Sequence, residues 1–537
     1  MNTKKINKVL LIEPPKTVAK ELMKNARPTV QPPIGLTYIA ALLEANKYNV
    51  KILDAIIEDP LCWKGTMLDE NTLRFGLTND QIRQVIFEYQ PDVVGVSCVI
   101  SIKYNDAKNI CKIAKEVMPD CITIMGGAHP TFNIEAVLSD PNLDGVVMGE
   151  GDISCLEMIQ YFEGKLGHDK LDGVAFKENK ELVVIPKTRY IQDLDSLPFP
   201  ARRLLPLSRY WEINLPHGEA TRTPWTTIVT SRGCTASCIY CSAGLLWGKK
   251  YRARSAENVL KEIDFLVNNY GIKELLIEDD NFTLNKQRTI KILDGIIEKK
   301  WDISWTTPNG IAIFTLDTKM LEKIKKSGCS SITLAIESGS QRVLTDIMKK
   351  PLKISKVEEV VKEAKRIGLK TKAFFMLGIP GETKEEMNQT LDFARKVGVD
   401  WSGFNITVPL SGTELNDICI DNNYVNANIN SSEIQFTSGR IHTSEFDEEF
   451  VNQKYAEANK INFLENPNLK EGGNVDRAIF DFKRVIRMVP EHELAHYALG
   501  MAYKKKNLTT EAIKMWQRVL EINPNNKLAK KNLRVCK

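Results

Sequence analysis

A chain of 537 residues, 43% hydrophobic and 26% charged, is too long for one ordinary core and has the balance of a soluble globular protein, so two or three domains are expected. A net charge of +5 is mild for this mass and, with no basic stripe interleaved with aromatics, argues for no nucleic-acid partner. The short apolar stretch in "MNTKKINKVLLIEPP" and the lack of any long apolar run support neither a signal peptide nor a transmembrane segment, and eleven cysteines, mostly scattered singly, fit a reducing, cytoplasmic compartment.

Residues 1–168 alternate β-rich runs ("KVLLIEP", "YNVKILDAI", "PDVVGVSCV", "CITIMGG", "LDGVVMGEG") with amphipathic ones ("GLTYIAALLEAN", "YNDAKNICKIAKEVM"). Strands that are apolar throughout, separated by helices, predict a parallel sheet buried on both faces, which is a doubly wound, Rossmann-like α/β domain. In such sheets a ligand lies outside the carboxyl ends of the strands, which here carry Ser97, Gly126, Gly127, Gly149 and Glu150. Any one of those glycines could equally be a turn residue that needs positive φ.

Residues 169–224 are rich in Pro and Arg without a clear period and are read as an ordered linker. From 225 to 415 six strands ("WTTIVTS", "KELLIEDD", "DISWTTP", "SSITLAIES", "TKAFFMLGI", "WSGFNITVPL") alternate with helices at 255–269, 285–299, 317–327, 355–367 and 383–397. Thr383 with Glu386 three residues on reads as a capping box for the last of these. Six β/α units without a seventh or eighth predict a partial (β/α)6 barrel. Residues 416–470 carry no legible pattern and are assigned as an extension of the barrel, placed where they could close over its mouth.

Residues 471–537 repeat themselves. Ala478, Phe482, Val485, Pro490, Ala495 and Leu499 recur as Ala512, Trp516, Val519, Pro524, Ala529 and Leu533, an offset of 34 residues (512 − 478). That period resembles tetratricopeptide repeats. Two copies are fewer than a free-standing solenoid needs, so they must pack against something, and they offer either a docking surface for a protein or peptide partner or simply two helical hairpins that finish the fold.

The chemistry concentrates in "TSRGCTASCIYCSAG", where Cys234, Cys238 and Cys241 share one short loop. Three thiolates at these spacings can each hold one iron of a cubic iron–sulfur cluster and leave the fourth iron without a protein ligand. Structural zinc would want a fourth ligand, and neither His217 nor another cysteine stands at a usual spacing. The odd count and the reducing compartment argue against disulfides.

C-x-x-x-C-x-x-C after the first strand of a partial barrel, with Tyr240 before the last cysteine, resembles the signature of the radical S-adenosylmethionine (SAM) enzymes. That resemblance implies a [4Fe–4S] cluster on Cys234, Cys238 and Cys241, with the open iron chelated by SAM. It also implies SAM contacts from Tyr240, from Glu278 and Asp279 in "IEDDNFT", from Glu337 and Ser338 in "AIESGS", and from Gly378 and Pro380 in "MLGIPGET". Carboxylates and backbone amides at the rim of a barrel suit a zwitterionic, ribose-bearing cofactor. "GVS", "MGGAHPT" and "VVMGEGD", with "DSLPFPARRLL" in the linker, are similar to the B12-binding branch of that family, which implies cobalamin on Ser97, Gly126, Gly127, Gly149 and Glu150.

One departure from the branch stands at the first strand–helix junction. "IEPPKTVAKEL" lacks the Asp-x-His-x-x-Gly motif, and His129 is followed by Pro130, so the expectation is cobalamin with its lower base detached and no protein imidazole on cobalt. In methylases of this branch a 5′-deoxyadenosyl radical removes hydrogen from an unactivated carbon and cobalamin delivers the methyl group, and no catalytic acid or base beyond the cluster ligands is nominated. A C-methyltransferase is therefore expected. "SWTTPNGI" and the linker also resemble oxidative cyclases of the magnesium-protoporphyrin ester type, and a non-catalytic scaffold built on the repeats is the third alternative. The resemblance further implies a reducing partner such as ferredoxin or flavodoxin, and an anaerobic setting for an open-iron cluster.

Overall fold

The structure is a computed structural model that describes residues 5–20, 29–59, 64–425 and 436–535. Parts of the segments read above, 1–4, 21–28, 60–63, 426–435 and 536–537, lie outside the described residues. The chain begins with strands β1 (Lys8–Glu13) and β2 (Lys16–Ala19), followed after the helix Ile34–Ala45 by β3 (Asn49–Asp54), β4 (Thr66–Asp69) and β5 (Thr72–Phe75). Next come β6 (Val93–Ser97), β7 (Ile122–Gly126), β8 (Gly145–Val147), β9 (Val174–Glu178) and β10 (Glu181–Ile185). Seven of these make one sheet in the order β10-β9-β8-β7-β6-β1-β3, parallel from β3 to β8.

Alternation along β1 explains why both faces are covered. Val9 and Leu11 pack with the helices Ile34–Ala45 and Gly151–Phe162, whereas Leu10 and Ile12 face Asn79–Tyr89 and Tyr104–Val117 on the other side. All four side chains are buried, as expected of a doubly wound sheet.

Two features correct the sequence reading. Residues 169–224 are not a linker throughout: β9 and β10 form an antiparallel hairpin that adds to the edge of the sheet beside β8. Asn179 and Lys180 turn it with φ of 50° and 71°, the two positive values that a type I′ turn requires. The signal was present in "VAFKENKELVVI", but Lys is a rare occupant of such a turn and masks it. The second feature is a small antiparallel sheet, β2-β5-β4, built from a strand after β1 and a pair after β3, which sequence alternation did not reveal.

Strands β11 (Trp225–Ile228), β12 (Ser231–Arg232), β13 (Arg252–Ala253), β14 (Glu274–Ile277), β15 (Ser304–Thr306), β16 (Cys329–Glu337), β17 (Lys370–Leu377) and β18 (Trp401–Ile406) follow. Six of them pair in parallel and in chain order, β11-β14-β15-β16-β17-β18, with the helices Ala256–Tyr270, Lys286–Lys299, Thr318–Lys326, Ile354–Arg366 and Lys384–Val397 between them. This is the partial barrel expected, and the Thr383–Glu386 capping box is formed.

The segment after 415 joins that core. Ile441, Phe446, Val451, Ala458 and Ile461 are buried in the barrel's own apolar cluster. Asn462, on the helix Glu448–Leu464, accepts from Ser402 N at 2.8 Å and donates to Ser402 O at 2.6 Å, pairing with β18 where no strand follows.

Four helices, Val475–Met488, Glu493–Lys505, Thr509–Ile522 and Lys527–Val535, form two hairpins. Ala478, Phe482, Ala495, Ala512, Trp516 and Ala529, residues of the 34-residue repeat, are fully buried. The first hairpin packs on the barrel: Asp481 pairs with Lys370 at 2.7 Å, Arg477 with Asp400 at 3.1 Å, and Arg484 donates to Gly218 O at 3.0 Å. No helix of the described residues is long and apolar enough to cross a membrane.

Candidate active site

The cysteine loop, residues 233–251, is closed at its base by the pairing of β12 with β13. Gly233 opens it at φ 84°, and an added Cβ there would lie 2.6 Å from Lys250 O, so only glycine fits. Its N–H donates to Asp280 Oδ2 at 3.1 Å. Ile239 N donates to Met348 O and Leu415 N to Ile239 O, so the loop is stitched to the barrel and to the helix Glu414–Asp421. Cys234 and Cys238 are partly accessible and Cys241 is exposed, whereas Cys98, Cys111, Cys121, Cys155, Cys329 and Cys419 are all buried. Accessible thiols grouped together are the ones able to take a metal.

All three line one cavity of about 430 Å³ together with Tyr240, Asp280, Asn281, Asn309, Glu337 and Lys350. Among the described residues no three His, Cys, Asp or Glu side chains are grouped to hold one metal ion. A structural zinc wants four protein ligands, while three thiols suit a cubic cluster that keeps one iron open.

Glu337 enters the cavity because β16 bulges between Ala335 and Glu337, and it holds φ at 74°, a left-handed value uncommon outside glycine. Lys350 stands 3.7 Å from Glu337 Oε1 and 3.4 Å from the Tyr240 hydroxyl. Burial pushes the Glu337 carboxyl up, and Lys350 opposes it. Burial, with Asp279 adding to it, pushes Asp280 up to about 6 against the hydrogen bond from Gly233.

Of the expected SAM residues, the cavity gathers Tyr240 and Glu337. It does not gather Glu278, Asp279, Ser338, Gly378 or Pro380. Asp279 accepts from Thr230 N at 2.6 Å and from Ser231 Oγ at 2.6 Å, bracing the end of β11. Ser338 Oγ meets Thr390 Oγ1 at 3.2 Å, and the Gly378 N–H donates to Glu382 at 2.8 Å, behind the rim. Asp280 and Asn281 face the cavity instead, one or two positions further along "IEDDN", and Lys350 carries no sequence signal at all.

In the N-terminal domain Ser97 and Gly126 pair across β6 and β7 at the carboxyl edge of the sheet. Gly127 holds φ at 121°, with room for no Cβ beside Cys98 O at 2.5 Å. Gly149 turns at φ 61°. Glu150 is fully buried and engaged with Arg232, Arg252 and Ile191 N. His129 is buried too, its ring 4.3 Å from that of Tyr104 and its Nδ1 3.0 Å from Ser101 Oγ, and burial lowers its pKa to about 4.

The family models agree with this layout. That of the radical SAM superfamily matches residues 228–394, that of the B12-binding domain residues 22–158, and that of the tetratricopeptide repeat residues 494–526. The cytidylyl-2-hydroxyethylphosphonate methyltransferase of Streptomyces wedmorensis is 34% identical over 456 residues, covering 79% of this chain and 83% of the relative. The chain belongs to the B12-binding radical SAM enzymes. An uncharacterized methyltransferase of Pyrococcus horikoshii is also 34% identical, over 78% of this chain and 84% of its own. The anaerobic magnesium-protoporphyrin IX monomethyl ester cyclase of Rubrivivax gelatinosus is 27% identical over 72% of this chain and 65% of its own. Among solved structures, the radical SAM methyltransferase TsrM of Kitasatospora setae, with cobalamin and a [4Fe–4S] cluster bound, superposes with a TM-score of 0.59 at 16% identity, covering 78% of this chain and 76% of that one. The cobalamin-dependent enzyme OxsB, with aqua-cobalamin bound, gives 0.65 at 15%, covering 99% and 81%.

The residues of this B12-binding radical SAM enzyme fit its family's cofactors. For SAM, Asn281 Oδ1 on the cavity wall is a buried acceptor without a hydrogen-bond partner, suited to a cationic group, beside an accessible thiol triplet. For cobalamin, the strand ends at Ser97 and Gly126 are small, and Val99 and Ile100 beside them are exposed at 59% and 46%, an apolar edge suited to the flat face of a corrin.

Proposed function

We propose that the protein is a cobalamin-dependent radical SAM C-methyltransferase acting on an unactivated carbon. The observation that carries it is the single cavity into which the cysteine loop, Tyr240 and Glu337 all open, in a chain whose 34% identical relatives are methyltransferases by name. In this reading Cys234, Cys238 and Cys241 hold the cluster. Glu337 and Lys350 present opposite charges to the amino and carboxylate groups of SAM, Tyr240 packs beside them, and Asp280 and Asn281 orient the sulfonium end. Glu278, Asp279, Ser338, Gly378 and Pro380 support that rim from behind.

Ser97, Gly126, Gly127 and Gly149 line the cobalamin edge, with Glu150 anchoring it from inside the domain. When bound, the cluster would supply the electron that cleaves SAM, and cobalamin the methyl group. The protein's own work is to orient both against one carbon and to keep water from the cavity. An electron donor such as ferredoxin or flavodoxin, a protein partner on the free hairpin of the repeats, and a cytoplasmic, anaerobic setting complete the proposal.

The test is anaerobic reconstitution with iron, sulfide and hydroxocobalamin, followed by reduction in the presence of SAM. About four irons and one corrinoid per chain, with both 5′-deoxyadenosine and S-adenosylhomocysteine formed, support the methylase. Deoxyadenosine without homocysteine product moves the assignment to an oxidative cyclase. Absence of a cluster defeats both.

A further inference from the structure

Arg232 and Arg252 face each other across the β12–β13 ribbon at the base of the cysteine loop, each only 5% exposed. Two buried guanidiniums side by side repel, and the group that reconciles them belongs to the other domain. Glu150 Oε1 accepts from Arg232 Nη1 at 2.7 Å and from Arg252 Nη1 at 2.8 Å. Asp152 takes Arg232 in a fork at 2.7 and 3.2 Å.

Both acids lie at the start of the helix Gly151–Phe162, where the helix dipole favours negative charge. The rings of Tyr38 and Trp247 flank the Arg232 guanidinium at 5.1 and 5.4 Å. The contact is also tight in the backbone, since a Cβ on Gly149 would sit 2.9 Å from Leu246 O inside the loop. The cysteine loop is thus gripped at its base by the cobalamin-binding domain. A second buried set, Arg202–Glu262–Arg254, has the same composition but lies outside residues 233–251.

We propose that Arg232 is a positioning residue: held by Glu150 and Asp152, it fixes the cluster loop at one place relative to the cobalamin edge. This rests on the methyltransferase reading above. The reaction that needs both domains, in which the S–CH3 bond of SAM would break, the methyl group pass to cobalamin reduced by the added reductant and S-adenosylhomocysteine leave, depends on the latch. Reductive cleavage of SAM to 5′-deoxyadenosine, which needs the barrel alone, does not.

The experiment compares full-length reconstituted wild type, Asp152→Asn and Glu262→Gln for iron, corrinoid and the two products. Asp152→Asn is expected to keep both cofactors and its deoxyadenosine rate within about twofold while losing at least about fivefold in homocysteine product, because a small misplacement costs rate steeply. Glu262→Gln should leave the product ratio at the wild-type value. The proposal is overturned if the two products fall together, if the ratio stays unmoved, or if Glu262→Gln shifts it equally. Should Asp152→Asn fail to fold, Arg232→Lys, which keeps the charge and loses the fork, is judged by the same ratio. A wild type that binds corrinoid yet forms no homocysteine product overturns the methylase reading itself, a result distinct from an active wild type whose ratio ignores the latch.

Discussion

Two buried glutamates, one at each end of the barrel, have opposite fates. At the closed end Glu219 lies among Lys370, Lys372 and Arg484; burial alone would raise its pKa, but the three cations outweigh it and hold the carboxyl well below the usual range. At the cavity end Glu382 accepts two backbone N–H groups, from Gly378 and Ile379, yet burial pushes it up to about 8 and its Oε1 has no partner. The contrast separates scaffold from site. Where the repeats pack on the barrel Glu219 and Asp481 are both paired with Lys370, whereas at the cavity end Glu382 is held by backbone N–H groups and Glu337 sits in a left-handed backbone.

The largest expected effect breaks the open end alone. Cys238→Ala should lower deoxyadenosine formation by at least about 1000-fold, with iron content collapsing, while the melting temperature of the cluster-free protein stays within about 2 °C of wild type. A large melting shift would mean that the loop is scaffold after all. The reverse test is Lys370→Met at the closed end, which strands Asp481 and part of the charge of Glu219. A loss of about 3–5 kcal/mol in denaturant unfolding is expected, with deoxyadenosine per folded molecule unchanged.

Smaller effects sharpen the boundary. Gly233→Ala forces a side chain into a positive φ against Lys250 O, and we expect the iron content after reconstitution to fall to about half or less through about 1–3 kcal/mol of local strain; full iron occupancy would count against the loop geometry. The smallest concerns Glu382. Its folded pKa of about 8 lies above the ordinary carboxyl value of 4.5, so the protonated form favours the folded state, and that stability is complete below about pH 4.5 and lost as pH rises through 8. Melting curves should therefore decline between pH 5 and pH 8.5 by a few degrees more for wild type than for Glu382→Gln. Parallel curves would show that Glu382 is not held protonated.

Much of this was legible beforehand because it is local. Strands apolar throughout, helices at 3.6-residue spacing, the Thr383 capping box and the 34-residue repeat all write themselves into neighbouring residues, as do Cys234, Cys238 and Cys241. What could not be read joins residues far apart. Lys350 reaches Glu337 and Tyr240 only through the fold, and nothing in "MKKPLK" announces it. "IEDDN" shows that carboxylates stand at a strand end, but which of them turns inward to Thr230 and which faces the cavity depends on the twist of β14 against β11. The β9–β10 hairpin escaped because its turn uses Asn179-Lys180 rather than a glycine.

The helix Glu448–Leu464 carries a last consequence. A six-stranded sheet that stops at β18 leaves a row of backbone donors and acceptors able to recruit a strand from another molecule. Asn462 occupies part of that row by offering Ser402 an amide group, the same donor–acceptor pair a neighbouring strand would bring. Together with Phe436 O, which accepts from Ile406 N, that side chain lets the barrel remain incomplete without becoming adhesive.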